Sequence, residues 1–141
     1  MQLPDGSRWC HLRWHTYHKR KMFKIAATAR FCERVLLNAG APEGWTVDAV
    51  AVGIDDIQVL VRVPSGVPRD EIPGRLKESA MQAIARARVV APWRRNVWDD
   101  RHWCAVLTNA MGITAVRRHI HARSRLGGEG AVSLVAERPP Q

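Results

Sequence analysis

The chain has 141 residues, of which 46% are hydrophobic and 25% charged, proportions that are typical of one globular domain and exclude a disordered or fibrous chain. Its 22 Lys and Arg against 13 Asp and Glu give a net charge of +9 at pH 7, which favours polyanionic partners, nucleic acid first. Two other causes would give the same balance of charges: the arginine bias of a GC-rich genome, or charge that only aids solubility.

No apolar run approaches the ~20 residues needed to cross a bilayer, so we expect no membrane partner. The first ten residues also lack the apolar centre of a signal peptide.

The cysteine pattern bears on location. Cys10, Cys32 and Cys104 are odd in number and show no CxxC spacing. This excludes a disulfide scaffold and predicts free thiols in a reducing compartment. We therefore expect a cytoplasmic protein, associated with the nucleoid if it binds DNA, and we favour buried thiols over a Cys/His zinc site.

Hydrophobic periodicity predicts the first elements along the chain. Alternation over 9–16 predicts a strand, and a basic cluster follows at 18–24. Residues 25–39 are rich in Ala and Leu and predict a helix, which Gly40 and Pro42 end. The expected polar face of the first strand carries His11, Arg13 and His15.

The middle of the chain predicts a strand pair and a second helix. Alternation over 45–52 and 56–63 predicts two strands joined by a short turn. Residues 69–89 predict a helix whose regular part begins at Pro73, because proline is tolerated only in a first turn.

The last third predicts a loop, a strand and a helix. We expect a loop rich in Trp and Arg over 91–101, a strand over 102–108 and a helix over 112–125. Residues 127–141 form a C-terminal tail beyond a domain spanning 1–126, and 131–136 could add an edge strand. We expect Trp14 and Trp103 in the core, because both lie within predicted strands.

The element order β-α-β-β-α-β-α predicts an α+β fold. It suits a four-stranded antiparallel sheet with helices on one face, the ferredoxin-like split βαβ plan. Many nucleic-acid modules have this plan, but so do many other proteins, so the fold alone assigns no function.

Four stretches carry a family pattern: HLRWHTYHKRKMF (11–23), AVAVGIDDIQVLVRVP (49–64), GRLKESA (74–80), and VWDDRHWCAVL (97–107) followed by ITAVRRHI (113–120). In order and spacing they resemble the HUH-type single-tyrosine transposases of small insertion sequences and their relatives, the REP-associated tyrosine transposases. The matched features are the first strand with its basic turn, the strand pair with the metal motif, a Leu-Lys helix, and the last strand with the nucleophile helix.

The resemblance implies an HUH transposase fold, DNA transposition and recombination by cutting and rejoining single-stranded DNA, and a homodimer that exchanges its last helix. In the family, a tyrosine on that helix attacks the phosphate. A divalent metal held by a His-hydrophobic-His motif stabilises the charge on the phosphoryl oxygens, and a polar residue one turn beyond the tyrosine completes the metal shell.

This sequence departs from the family at each of those positions. Asp56 and Gln58 stand where the two histidines are expected, His119 stands at the tyrosine position, and Arg123 stands one turn beyond it. The single tyrosine of the chain is Tyr17. We therefore expect a degenerate, inactive site without a cofactor, and we hypothesise that an Arg123–Asp56 contact has replaced the metal.

Basic and aromatic residues of the matched stretches are the predicted DNA contacts, because such neighbours suit stacked single-stranded bases. They are Tyr17, Lys19, Arg20, Lys21, Lys24, Trp93, Arg94, Arg95, Arg117, Arg118 and Arg123. Trp93 and Trp98 could equally be core anchors.

Three functions follow from these observations. The first is a transposase-like protein that binds single-stranded or hairpin DNA through a basic surface without cleaving it. The second is an active single-strand transposase or nuclease that uses Asp56 and Gln58 to hold Mg²⁺ or Mn²⁺ and His119 for attack. The third is a ferredoxin-like domain that binds RNA or protein.

Overall fold

A computed structural model describes residues 3, 5–87 and 97–126. Four strands and three α-helices alternate as the sequence predicts: β1 (Arg8–Thr16), α1 (Ala26–Asn38), β2 (Thr46–Val52), β3 (Asp56–Val63), α2 (Glu71–Ala87), β4 (Trp98–Leu107) and α3 (Ala110–Arg123). Short 3-10 turns lie at Tyr17–Lys19 and Ala41–Glu43. Over the described residues, no helix is both long enough and apolar enough to pass through a membrane.

The four strands form one antiparallel sheet in the order β2-β3-β1-β4. This is the strand order of a ferredoxin-like fold, so the predicted fold class is confirmed. β1 lies inside the sheet, paired with β3 on one side and β4 on the other, and the side chains of Cys10, Leu12 and Trp14 are buried on one face. That face carries the main core, which α1 and α2 cover.

The third helix lies on the opposite face, so the prediction of helices on one face only is wrong. α3 packs against β2 and β3, where Ile113 and Ile120 join Ala49, Ala51 and Leu60 in a second, smaller core. Leu60 interrupts the polar face of β3, and the two alanines leave room for a helix to approach. The sheet therefore lies between α1 and α2 on one face and α3 on the other.

Hydrogen bonds from side chains to the backbone fix both ends of α3. At its start, the side chain of Asn109 accepts from the Gly112 N–H at 2.7 Å, a standard N-cap contact. Beyond its end, the buried carboxylate of Glu33 in α1 accepts from two N–H groups and one hydroxyl of residues 124–126, at 2.7 to 3.0 Å. The same carboxylate accepts from the Val52 N–H of β2 at 2.9 Å, so it ties α1, an edge strand and α3 together.

Two predicted boundaries need correction. β4 begins at Trp98 rather than at 102, because the Trp98 side chain is buried and its indole N–H donates to the Lys77 carbonyl at 2.9 Å. α2 begins at Glu71, with Pro73 inside its first turn, where the missing N–H costs no helical hydrogen bond. The predicted tail and edge strand within 127–141 lie outside the described residues.

Candidate functional site

The positions that match the family's metal motif lie on the sheet face that α3 covers. Gln58 of β3 is only 2% exposed there, between His11 of β1 and His119 of α3. Its side-chain oxygen lies 3.0 Å from His11 Nε2, and its side-chain nitrogen lies 3.4 Å from His119 Nε2. Because an amide oxygen only accepts and an amide nitrogen only donates, His11 Nε2 donates and His119 Nε2 accepts.

An ion pair lies beside this network. Arg123 of α3 places a guanidinium nitrogen 3.6 Å from a carboxylate oxygen of Asp56, whose side chain is 15% exposed. The contact hypothesised from the sequence is therefore present. It arises because Asp56 begins β3 on the same face as Gln58, and Arg123 lies one helical turn beyond His119.

This set of donors does not suit a divalent metal. Mg²⁺ and Mn²⁺ prefer several oxygen ligands, whereas the Asp56 carboxylate faces a cation and the Gln58 oxygen already accepts from His11. Among the residues the structure describes, no group of three or more His, Cys, Asp and Glu is arranged to hold a metal ion.

The imidazole of His11 is held on both sides. Its ring meets the Trp103 ring edge-on, with 5.1 Å between centroids, while its Nε2 bonds Gln58. Burial lowers the pKa of His11 and outweighs the hydrogen bond to Gln58, which raises it; the nearby Arg13 lowers it further. His11 is therefore a neutral donor that fixes the orientation of the Gln58 amide.

The basic turn, defined as residues 17–24, follows β1 as predicted. Lys19, Arg20, Lys21 and Lys24 are all exposed, and none has a carboxylate oxygen within 4.0 Å among the described residues. The Arg20 guanidinium lies over the ring of Tyr17, with 5.9 Å between the guanidinium carbon and the ring centroid. The turn thus presents four cations whose charge is not matched locally.

The predicted DNA contacts on α3 are arranged differently. Arg117 is paired with Asp48 at 2.6 Å and lies over the Trp9 ring at 5.6 Å, so its guanidinium is already engaged within the protein. Arg118 is exposed, and Arg123 contacts Asp56. Two of these three arginines are therefore paired with a carboxylate, unlike the four cations of the basic turn. The predicted contacts Trp93, Arg94 and Arg95 lie outside the described residues.

The burial of the tryptophans differs from the prediction for Trp103 and settles the open choice for Trp98. Trp103 is 50% exposed rather than in the core, because it pairs with Arg13 and so lies on the polar face. Trp14 is buried as expected, and Trp98 is a core anchor. Sequence reasoning passed over Arg13 and Arg101, which lie beside Trp103; the polar face predicted for β1 was the available signal for Arg13.

No protein-family model matches the chain, and no curated protein matches it. Among solved structures, it is similar to a protein from Deinococcus radiodurans R1 assigned as a transposase, with a TM-score of 0.64 at 15% identity over 88% of this chain and 98% of that one. It is also similar to a REP-associated tyrosine transposase bound to a REP hairpin, with a TM-score of 0.57 at 13% identity over 99% of this chain and 77% of that one. The chain therefore has the α+β fold of the HUH tyrosine transposases.

Proposed function

We propose that the chain is a transposase-like DNA-binding protein that binds single-stranded or hairpin DNA and does not cleave it. The observation that carries this proposal is the basic turn. Its four exposed cations have no carboxylate partner in the described part of the chain, and phosphate groups would supply the missing negative charge. The neighbour bound to a REP hairpin supports the choice of DNA.

The loss of cleavage is supported by the polar network on the α3 face. A phosphotyrosine intermediate needs a phenol on the last helix, and Tyr17 is the single tyrosine of the chain. The metal positions hold Asp56, which faces Arg123, and Gln58, which bonds two histidines. A guanidinium has no lone pair to offer a metal and repels a cation.

The setting of this function is also part of the proposal. DNA binding would place the protein on the nucleoid. The resemblance to the family implies a homodimer, and light scattering coupled to size-exclusion chromatography would measure its mass.

The test compares two variants that each remove two exposed charges. Binding of a labelled hairpin-containing single strand is measured by fluorescence anisotropy over a range of salt concentrations. Lys21→Gln/Lys24→Gln should weaken binding and reduce the slope of log K against log salt by about 1.4, since each phosphate contact on a single strand contributes roughly 0.7. The matched control, Arg34→Gln/Arg86→Gln, changes exposed arginines of α1 and α2 and should leave the slope unchanged.

Equal effects of the two double variants would show that only net charge matters and would contradict a binding site at the basic turn. Tighter binding of an RNA strand than of the matching DNA would favour an RNA-binding domain instead.

A further inference from the structure

We infer that a cleft between β1 and β4 binds one unpaired nucleotide of the DNA, with its base on Trp103 and its phosphate on the surrounding cations. This inference rests on the proposed function and adds a specific subsite to it. The cleft has a volume of about 450 Å³, which lies within the usual range for small-ligand sites. Its basic and aromatic lining includes Arg13, His15, Lys19, Arg101, His102 and Trp103.

An irregularity in the sheet opens the cleft. Trp14 pairs with His102, and Thr16 pairs with Trp98, so three residues of β4 lie opposite His15 alone. Extra residues of this kind bend the strand and disrupt the ladder locally, and such bulges are frequent beside functional sites. Here the bulge interrupts the pairing of the two strands at His15, between the Trp14–His102 and Thr16–Trp98 pairs.

The bulge is held by specific contacts. The Asp99 carboxylate accepts from the Arg101 N–H at 2.9 Å and from the Arg101 side chain at 3.1 Å. The Lys77 ammonium of α2 donates to the Asp99 carbonyl at 2.6 Å. These contacts fix the backbone of residues 99–101, and Asp99 and Arg101 line the cleft.

The charge of the cleft suits a phosphate. Arg13, Lys19 and Arg101 line it with a single carboxylate, Asp99, which is already paired with Arg101. Arg13 and Lys19 have no carboxylate within 4.0 Å in the described ranges. Three cations against one anion leave an excess of positive charge at the cleft.

The aromatic wall of the cleft suits a base. Trp103 is 50% exposed, and its edge-on contact with His11 at 5.1 Å holds the ring in place. A ring that is already ordered loses little freedom on binding, and base stacking on an aromatic side chain contributes about 1–3 kcal/mol.

Two further features point to a ligand at this place. His15 Nδ1, in a residue that lines the cleft on the same face of β1 as Arg13, is buried and finds no hydrogen-bond partner in the described structure. His18 and Lys19 both have left-handed backbone angles, with φ of 53° and 52°, a conformation that costs roughly 1–2 kcal/mol per residue. The turn is held by the Thr16 hydroxyl, which donates to the Arg20 carbonyl at 2.6 Å, and it brings Lys19 to the cleft.

The test measures binding of the full-length protein to a 15-nucleotide thymidine strand and to a blunt duplex of equal length. Trp103→Ala should weaken binding to the single strand by about 5- to 150-fold, the equivalent of one stacked base, and change duplex binding less than twofold. Trp103→Phe should restore most of the affinity. Arg13→Gln is a second variant at the cleft and should weaken single-strand binding at low salt more than at high salt.

The outcomes separate this inference from the proposed function. If Lys21→Gln/Lys24→Gln reduces affinity while both Trp103 variants and Arg13→Gln bind the single strand like the unaltered protein, the cleft inference is wrong and the proposed function stands. If the unaltered protein binds neither the thymidine strand nor the labelled hairpin-containing strand, both are overturned. A single strand carrying 2-aminopurine should also lose fluorescence on binding the unaltered protein and not on binding Trp103→Ala.

Discussion

The buried carboxylate of Glu33 gives the most direct prediction about stability. It accepts four hydrogen bonds, from the N–H groups of Val52, Arg125 and Leu126 and from the Ser124 hydroxyl. Each carboxylate oxygen serves two of these donors. In Glu33→Gln, an NH₂ group replaces one oxygen, so two donors face another donor.

The expected cost follows from these contacts. A hydrogen bond to a charged group contributes about 1.5–3 kcal/mol, and two such bonds are lost. Ser124 and Arg125 are partly exposed, so water can replace part of the loss, and we expect a decrease of about 3 kcal/mol in the free energy of unfolding. For a domain with a typical stability of roughly 5–15 kcal/mol, this is a large fraction.

Urea unfolding followed by tryptophan fluorescence measures the effect. With a slope of about 1.5 kcal/mol per molar urea, the midpoint should fall by ~2 M. The matched control is Glu78→Gln, which alters an exposed carboxylate of α2 that accepts one bond from Gln82 at 3.3 Å and should cost less than about 0.5 kcal/mol. Equal midpoints for the two variants would refute the role assigned to Glu33.

Three further predictions concern the α3 face and the thiols. A double-mutant cycle with Arg123→Ala and Asp56→Ala should give a coupling of about 0.3–1 kcal/mol, as for a partly exposed ion pair; zero coupling would sink the hypothesis that this pair stabilises the site. Because burial lowers the pKa of His11, the folded protein binds a proton less readily than the unfolded chain, so stability is complete above the unfolded pKa of about 6.5 and falls below it. Unfolding from pH 7.5 to 5 should show this decrease, and His11→Gln should reduce it. Cys32 is fully buried, and burial raises the pKa of its thiol, so alkylation of the native protein should leave Cys32 unmodified. Cys104 is partly exposed and should be labelled, but slowly, because its contact with Cys10 raises the pKa of its thiol.

The sequence predicts the sheet well because its strands alternate clearly. β3 has the predicted bounds, and the apolar face of β1, with Trp14, is buried as expected. The contact between Arg123 and Asp56 could also be predicted, since the helical period places Arg123 beside the apolar stripe of α3, where an arginine needs a partner.

Other features depend on tertiary packing. The position of α3 on the second face follows from small residues at Ala49 and Ala51, which read in isolation as an ordinary alternating strand. The exposure of Trp103 depends on its register against Arg13, and a bulge in β4 is not visible in the spacing of residues. The role of Glu33 depends on partners about 90 residues away in the chain, a separation at which no local pattern acts.

The central claim, that the chain binds hairpin or single-stranded DNA without cleaving it, is tested most directly on one gel. A labelled library of hairpin-containing single strands is incubated with the full-length protein, with and without Mn²⁺, and then run under native and denaturing conditions. We expect retardation that weakens with salt, and neither a covalent adduct nor nicking in either condition. Nicking that requires Mn²⁺ and disappears in Asp56→Ala would contradict it and would assign Asp56, Gln58 and His119 to an active site.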